Sequence, residues 1–139
     1  MTAPAIDGLG HIDLTVTDAE RSVAWWTEVM GFRLLAEWGR PGFGGWTMAH
    51  PSGLVVTLLV HDEGDGAAFD ERRVGLDHLA LHVRDYGTLE EWAAHLDARG
   101  VLHSGIQDAH GTTGGPLIVL RDPDNIQLEL TAGWQLSVD

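Results

Sequence analysis

The sequence predicts an α+β fold made of two βαβββ modules that form a cupped mixed β-sheet, with the helices on its outer face. The first observation is a repeat, because Gly-Leu-Gly-His-Ile-Asp-Leu-Thr-Val at 8–16 returns as Gly-Leu-Asp-His-Leu-Ala-Leu-His-Val at 75–83. The second is that apolar residues fill alternate positions in both copies, which is typical of a strand with two different faces. The third is that a predicted helix follows each copy and stops at a glycine, Gly31 or Gly100.

The first module is predicted over residues 8–61. Its first strand covers 9–16, and Thr17 with Glu20 has the spacing of a capping box, with Asp18 as an alternative N-cap. In the helix that follows, over 19–30, Trp26 lies at helical spacing from its apolar neighbours and is predicted to be core. The remaining elements are three strands separated by turns rich in Gly and Pro, at 32–38, 45–50 and 54–60.

A connector at 62–74 leads to the second module, predicted over 75–132, so that residues 1–139 make one domain. The capping box is placed at Thr88 and Glu91. The predicted elements are a strand at 76–83, a helix at 89–99, a strand at 102–106, a loop at 107–115, and strands at 117–121 and 125–131 around the turn Asp122-Pro123-Asp124. Each half therefore reads as strand, helix and three strands, which supports an internal repeat.

Strand alternation separates a face that packs on the helix from an open face. In the last strand Ile126, Leu128 and Leu130 have the helix-packing parity, so Gln127 and Glu129 face the opposite way. Two such halves side by side would leave a concave surface that carries His11, His78 and Glu129. The same alternation makes Thr57 the first module's counterpart of Glu129.

His11, His78 and Glu129 form the main candidate site, a metal centre for one divalent ion. Two imidazoles and a carboxylate suit Fe, Mn, Ni, Co or Zn and leave coordination positions for substrate or water. The chain has no cysteine, so a metal site must use histidines and carboxylates. The alternative interpretation is that these histidines are hydrogen-bonded structural residues, which half-buried strands often carry.

Three segments resemble the glyoxalase/bleomycin-resistance/extradiol-dioxygenase superfamily, also called vicinal oxygen chelate proteins. They are Gly-His-Ile-Asp-Leu-Thr-Val at 10–16, Leu-Asp-His-Leu-Ala-Leu-His-Val at 76–83, and Leu-Arg-Asp-Pro-Asp-Asn-Ile-Gln-Leu-Glu-Leu at 120–130. The resemblance implies paired βαβββ modules, a cupped sheet and a homodimer. In metal-dependent members the ligands match His11, His78 and Glu129, so Glu129 is also a catalytic candidate.

The resemblance does not select one reaction. Glyoxalase I enzymes carry a fourth ligand, Glu or Gln, where Thr57 stands. Ring-cleaving extradiol dioxygenases match the triad and place a catalytic His near the final hairpin, for which His110 is the candidate proton carrier. Their Tyr position corresponds to Val119. The family therefore implies lyase or isomerase chemistry, or ring-cleaving dioxygenase chemistry, on a small substrate. Asp13, Gln127 and His110 are candidates for proton handling or orientation.

Composition excludes some partners and supports one alternative function. A formal net charge of −13 argues against nucleic acid, and no apolar run approaches the length of a membrane span. The lack of cysteine fits a cytoplasmic protein. Bleomycin-binding members of the family sequester a drug without chemistry and are acidic and aromatic-lined, so this chain, with pocket candidates at Trp38, Trp46 and Trp134, is alternatively a drug-binding resistance protein.

Overall fold

The computed structural model describes residues 3–108 and 115–133, which form two compact units, one up to Ala67 and one from Ala68. Each unit contains one helix and one four-stranded mixed sheet. These elements confirm the predicted α+β class and the two βαβββ modules.

In the first unit the sheet order is β1-β4-β3-β2, with β1 parallel to β4 and the other neighbours antiparallel. The helix α1 packs against β4 and β2. The elements are β1 Ile12–Thr15, α1 Ala19–Glu28, β2 Arg33–Arg40, β3 Phe43–Ala49 and β4 Val55–His61.

The second unit repeats this topology in the order β5-β8-β7-β6, again with the first and last strands parallel. The helix α2 packs against β7 and β8. The elements are β5 Leu79–Val83, α2 Tyr86–Ala98, β6 Gln107–Asp108, β7 Pro116–Arg121 and β8 Gln127–Ala132. Among the described residues, no helix has the length and hydropathy that a membrane crossing requires.

Both histidine-bearing strands begin later than predicted, so His11 and His78 lie immediately before β1 and β5 rather than inside them. By extension of the parallel register, His11 is level with Val55 and His78 with Gln127, the first residues of β4 and β8, so each histidine lies at the start of its partner strand.

The predicted capping boxes at Thr17 and Thr88 are wrong, and the alternative N-cap predicted for the first helix, Asp18, is confirmed. The N-caps are Asp18 and Asp85, whose carboxylates accept hydrogen bonds from the backbone N–H of Arg21 and Thr88 at 2.9 and 2.8 Å. A carboxylate at this position also interacts favourably with the positive end of the helix. Because Asp85 comes earlier than Thr88, α2 begins three residues before its predicted start at 89.

The segment 102–106 does not form the predicted strand. It makes one isolated bridge, between His103 and Leu120, and regular pairing with β7 resumes only in β6, inside the predicted loop. The hydroxyl of Ser104 accepts from the N–H of Val119 at 2.9 Å, in place of a backbone carbonyl, and Gly105 then turns the chain with a φ of 69°. The backbone N–H of Ser104 still donates to the carbonyl of Val119 at 2.9 Å, so the side chain replaces one of the two backbone bonds of this pair.

Each unit has its own buried apolar core between helix and sheet. In the first unit Trp26 is fully buried, as predicted, and packs edge-to-face on Phe32 with ring centroids 5.2 Å apart. The parity predicted for the last strand is also confirmed, since Ile126, Leu128 and Leu130 are buried while Gln127 and Glu129 are partly exposed. The buried apolar residues are Leu14, Val16, Trp26, Val29, Met30, Phe32, Met48, Val56 and Leu58 in the first unit, and Val83, Leu89, Leu96, Ile118, Leu120, Ile126, Leu128, Leu130 and Ala132 in the second.

The cap assignment is testable by substitution at neighbouring positions. Asp18→Ala removes the acceptor for the Arg21 N–H and should lower the free energy of unfolding by about 1 kcal/mol in urea denaturation. Thr17→Ala, which removes an exposed hydrogen bond from the Arg21 guanidinium, is the matched control and should change it by less than about 0.5 kcal/mol. A larger effect at Thr17 than at Asp18 would contradict the assignment.

Candidate functional site

The second unit brings together two of the three predicted ligands. Parallel pairing of β5 with β8 sets Ala80 opposite Glu129, and His78 lies two residues earlier on the same side as Ala80. The Nε2 atom of His78 is 3.5 Å from Oε2 of Glu129. The Glu129 side chain is only 15% exposed, so this pair is partly shielded from solvent.

The other ring nitrogen of His78 is already engaged. Its Nδ1 lies 2.6 Å from Oδ1 of Asp77, and an ionised carboxylate only accepts hydrogen bonds. A neutral ring that donates from Nδ1 to Asp77 would leave the lone pair of Nε2 on the Glu129 side. A histidine whose far nitrogen donates to a carboxylate is a common arrangement in metal sites.

Glu129 is the end of a hydrogen-bonded chain on the sheet. Its Oε1 accepts from Nε2 of Gln127 at 3.3 Å, and Oε1 of Gln127 accepts from the guanidinium of Arg121 at 3.0 Å. Arg121 in turn donates to both oxygens of Glu71, at 3.0 and 2.8 Å. Thus Gln127, predicted to orient groups at the site, contacts the ligand candidate directly.

The first unit holds the third predicted ligand, His11. Its Nε2 is 3.6 Å from Oδ1 of Asp13, and the two side chains are 62% and 41% exposed. Asp13 pairs in register with Thr57, as Ala80 pairs with Glu129. The register therefore confirms that Thr57 is the counterpart of Glu129, and it shows a hydroxyl where the second unit has a carboxylate.

A cavity of about 570 Å³ opens at the other end of β1 in the first unit. The rings of Phe43 and His61 lie 5.4 Å apart in it, and the carboxylates of Asp62 and Glu63 line it. Trp38 packs edge-to-face on Phe43 at 5.9 Å. Of the predicted aromatic pocket residues, Trp38 thus lies next to a cavity, while Trp134 and the proton-carrier candidate His110 lie outside the described residues.

The His78–Glu129 pair fits a metal ion by its spacing. Ligand atoms bound to one ion at about 2.0–2.2 Å are about 3.3–3.6 Å apart in a tetrahedral site, and neighbouring ligands are about 2.8–3.1 Å apart in an octahedral site. The observed 3.5 Å falls in the tetrahedral range. Within either unit, among residues 3–108 and 115–133, no three His, Cys, Asp or Glu side chains form a metal-binding group.

Sequence reasoning missed three residues that adjoin the site. Arg121 has the same strand parity as Val119 and pairs in register with Gln127, so alternation could have identified it. Asp77 directly precedes His78 and could have been considered as its hydrogen-bond partner. Glu71 lies in the aperiodic connector, where no sequence signal distinguishes it from the other acids.

Comparison with known proteins agrees with this architecture. The sequence profile described as Glyoxalase/Bleomycin resistance protein/Dioxygenase superfamily matches residues 8–130. The solved glyoxylase/bleomycin resistance protein/dioxygenase domain from Frankia sp. EAN1pec is similar at 32% identity and a TM-score of 0.85, over 94% of this chain and 100% of that chain.

Two more distant proteins are also similar. The uncharacterised protein YqjT of Bacillus subtilis (strain 168) is 28% identical over 130 residues, which is 88% of this chain and 96% of YqjT. FosX, the genomically encoded fosfomycin resistance protein of Listeria monocytogenes, was solved with Mn(II) and a sulfate ion. It matches with a TM-score of 0.67 and 22% identity over 94% of this chain and 95% of FosX, which is a likeness of fold alone.

The Glu71–Arg121 pair should contribute stability that depends on pH. Hydrogen bonds from Arg121 lower the pKa of Glu71 from 4.5 to about 2. A carboxyl group with a lowered pKa stabilises the fold above its unfolded pKa, and that contribution is lost as pH falls through the folded pKa. Urea unfolding of Glu71→Gln, Arg121→Met and the double variant should therefore give a favourable coupling free energy at neutral pH that declines from about pH 4.5 towards about pH 2. A coupling that stays constant over this window would contradict the assignment.

Proposed function

Because this chain belongs to the Glyoxalase/Bleomycin resistance protein/Dioxygenase superfamily, we propose that it is a metal-dependent enzyme that acts on a small substrate through two of the substrate's oxygens. The proposed ligands of one divalent ion are His11, His78 and Glu129. One observation carries the proposal: the Nε2 of His78 and the Oε2 of Glu129 are 3.5 Å apart, while Nδ1 of the same ring is engaged by Asp77.

The donor set is chemically suited to a first-row divalent ion. Two imidazole nitrogens and one carboxylate match the preferences of Fe, Mn, Ni, Co and Zn, and they leave positions for oxygen ligands of a substrate. When bound, such an ion supplies Lewis-acid polarisation of a substrate carbonyl. FosX, which has the same fold, was solved with Mn(II).

Among the reactions open to this family, the geometry favours proton transfer next to a carbonyl, as in a lyase or isomerase. On the two neighbouring strands, Ala80 and Val119 pair in register with Glu129. Neither side chain has a hydroxyl that could hold a phenolic substrate. In the first unit, Asp13 pairs in register with Thr57. Its carboxylate is 41% exposed and lies beside His11. We assign Asp13 the role of proton acceptor, because it is an accessible carboxylate next to a proposed ligand and is not itself one.

The working form that we propose is a homodimer. The edge strand β2 is exposed along its length and carries Leu34, Leu35 and Trp38, which are 38%, 64% and 37% exposed. An edge strand with this many accessible apolar side chains is a common association surface.

The cavity in the first unit supports a second candidate function, the binding of a cationic drug without chemistry. Its Phe43 and His61 rings, which are tilted by 31° to each other, would contact a planar group, and Asp62 and Glu63 would attract a positive charge. The net charge of −13 would add long-range attraction for a cation. In this case the His78–Glu129 pair would have no role in ligand binding.

Metal analysis of purified protein, free of affinity-tag metal, separates the two functions. We expect about one divalent ion per chain in the wild type, and a loss of at least about 100-fold in affinity in His11→Ala, His78→Ala and Glu129→Ala with the fold retained. His82→Ala is the matched control, because His82 lies in β5, four residues after His78, and is not a proposed ligand; this change should leave the affinity unchanged. Unaltered stoichiometry in Glu129→Ala, or no uptake by the wild type, would overturn the metal proposal and favour drug binding.

The proposed role of Asp13 predicts a specific defect in proton transfer. In deuterated water with Mn(II), the wild type should exchange the protons next to the carbonyl of a small α-hydroxyketone, observed by NMR. Asp13→Asn should slow this exchange by at least about 100-fold, because it removes the base and retains the shape. Mn(II) affinity serves as the control and should change much less. Unimpaired exchange in Asp13→Asn would exclude Asp13 as the base.

A further inference from the structure

We propose that Glu71, Arg121 and Gln127 form a positioning relay that fixes the orientation of the Glu129 carboxylate from outside the ligand set. The relay's effect on metal binding rests on the proposed function, but its existence does not. Its members come from the connector, from the end of β7 and from the start of β8.

Arg121 is the rigid centre of the relay. One terminal nitrogen donates to Glu71 and to the carbonyl oxygen of Asn125, at 3.0 and 2.9 Å. The other donates to Glu71 and to Gln127, at 2.8 and 3.0 Å. A planar guanidinium held by a bidentate carboxylate has its orientation fixed, so the direction in which it meets Gln127 is fixed as well.

The identity of the bonding atoms determines which way the Gln127 amide points. Arg121 has only donors, so the oxygen of the amide must face it and the NH₂ must face the other way. That NH₂ is 3.3 Å from Oε1 of Glu129, which accepts from it. With Oε1 occupied in this way, Oε2 is the oxygen left towards Nε2 of His78, 3.5 Å away.

The charges of the relay are arranged to leave Glu129 its own negative charge. The positive charge of Arg121 is matched by Glu71, and a neutral amide stands between Arg121 and Glu129. A direct Arg121–Glu129 ion pair would compete with a cation for the carboxylate. The relay instead orients the carboxylate by a neutral donor, which suits a ligand for a divalent ion.

The connector end of the relay is itself anchored to the β7–β8 turn. The backbone N–H of Phe69 donates to the carbonyl of Asp124 at 2.8 Å, and the side-chain amide of Asn125 donates to the carbonyl of Phe69 at 2.9 Å. Glu71 is two residues from this anchor. The segment between the modules therefore contributes to the geometry at Glu129, although it carries no proposed ligand.

The sequence allows a direct test by NMR of metal-free protein. The chain has four side-chain amides, at Gln107, Asn125, Gln127 and Gln135, so their ¹⁵N-correlated signals are few. The Gln127 pair is assigned by its loss in Gln127→Met. It should shift in Glu129→Ala, in Arg121→Met and in Glu71→Ala, a residue that does not contact Gln127 directly. Asp70→Ala is the matched control, since Asp70 pairs with Arg72 in the same segment and should leave the signal unmoved.

Mn(II) titration of the same proteins measures the consequence for the site. Gln127→Met and Glu71→Ala should each weaken binding by about 10-fold, and Asp70→Ala should not. Arg121→Lys keeps the charge but lacks the planar fork, so it should weaken binding as Arg121→Met does. Melting temperatures measured in parallel separate this effect from loss of the fold.

The two proposals fail in different ways. A Gln127 signal that does not respond to Glu71→Ala would overturn the relay, whether or not the protein binds metal. A responsive signal in a wild-type protein that takes up no Mn(II) would support the relay and overturn the metal site. Equal Mn(II) affinity in the wild type and in Gln127→Met would overturn the positioning role.

Discussion

The parallel pairing of the first and last strand in each module is the constraint on which the rest of the structure depends. In the second unit it sets Ala80 opposite Glu129 and thereby places His78, two residues earlier, beside the same carboxylate. In the first unit the equivalent pairing sets Asp13 opposite Thr57 and leaves His11 at the corresponding place before β1. A shift of either register by one residue would turn these side chains to the helix-packed face.

The two units have the same strand pairing but carry different functional groups at the equivalent positions. The second unit has a carboxylate, Glu129, backed by Gln127 and Arg121. The first unit has Thr57 at the matching position and carries its carboxylate on the neighbouring strand, at Asp13.

Strand alternation, helical spacing and glycine stops were sufficient to predict the two βαβββ modules and the buried parity of Ile126, Leu128 and Leu130, and the structure confirms both. The capping boxes were mispredicted because Thr17 and Thr88 satisfy a local pattern, although Asp18 was the alternative N-cap in the first module. The observed N-caps, Asp18 and Asp85, stand at the same distance from His11 and His78. Comparison of the two copies position by position would have favoured the aspartates. The strand predicted at 102–106 failed because the Ser104 hydroxyl replaces a ladder bond, which periodicity does not reveal.

The sequence by itself determined the module architecture and the equivalence of Thr57 with Glu129, because both follow from local periodicity and from an internal repeat, and it indicated the family through three segments that resemble it. Only the tertiary structure decided which atoms are in contact. Asp77 lies at one ring nitrogen of His78 and Glu129 lies near the other. The side-chain amide of Gln127 is oriented by its hydrogen bond from Arg121. It also brought Glu71 to Arg121 across 50 residues of chain. Such contacts depend on register, rotamer and chain path, and a pattern of residue types along one chain contains none of these.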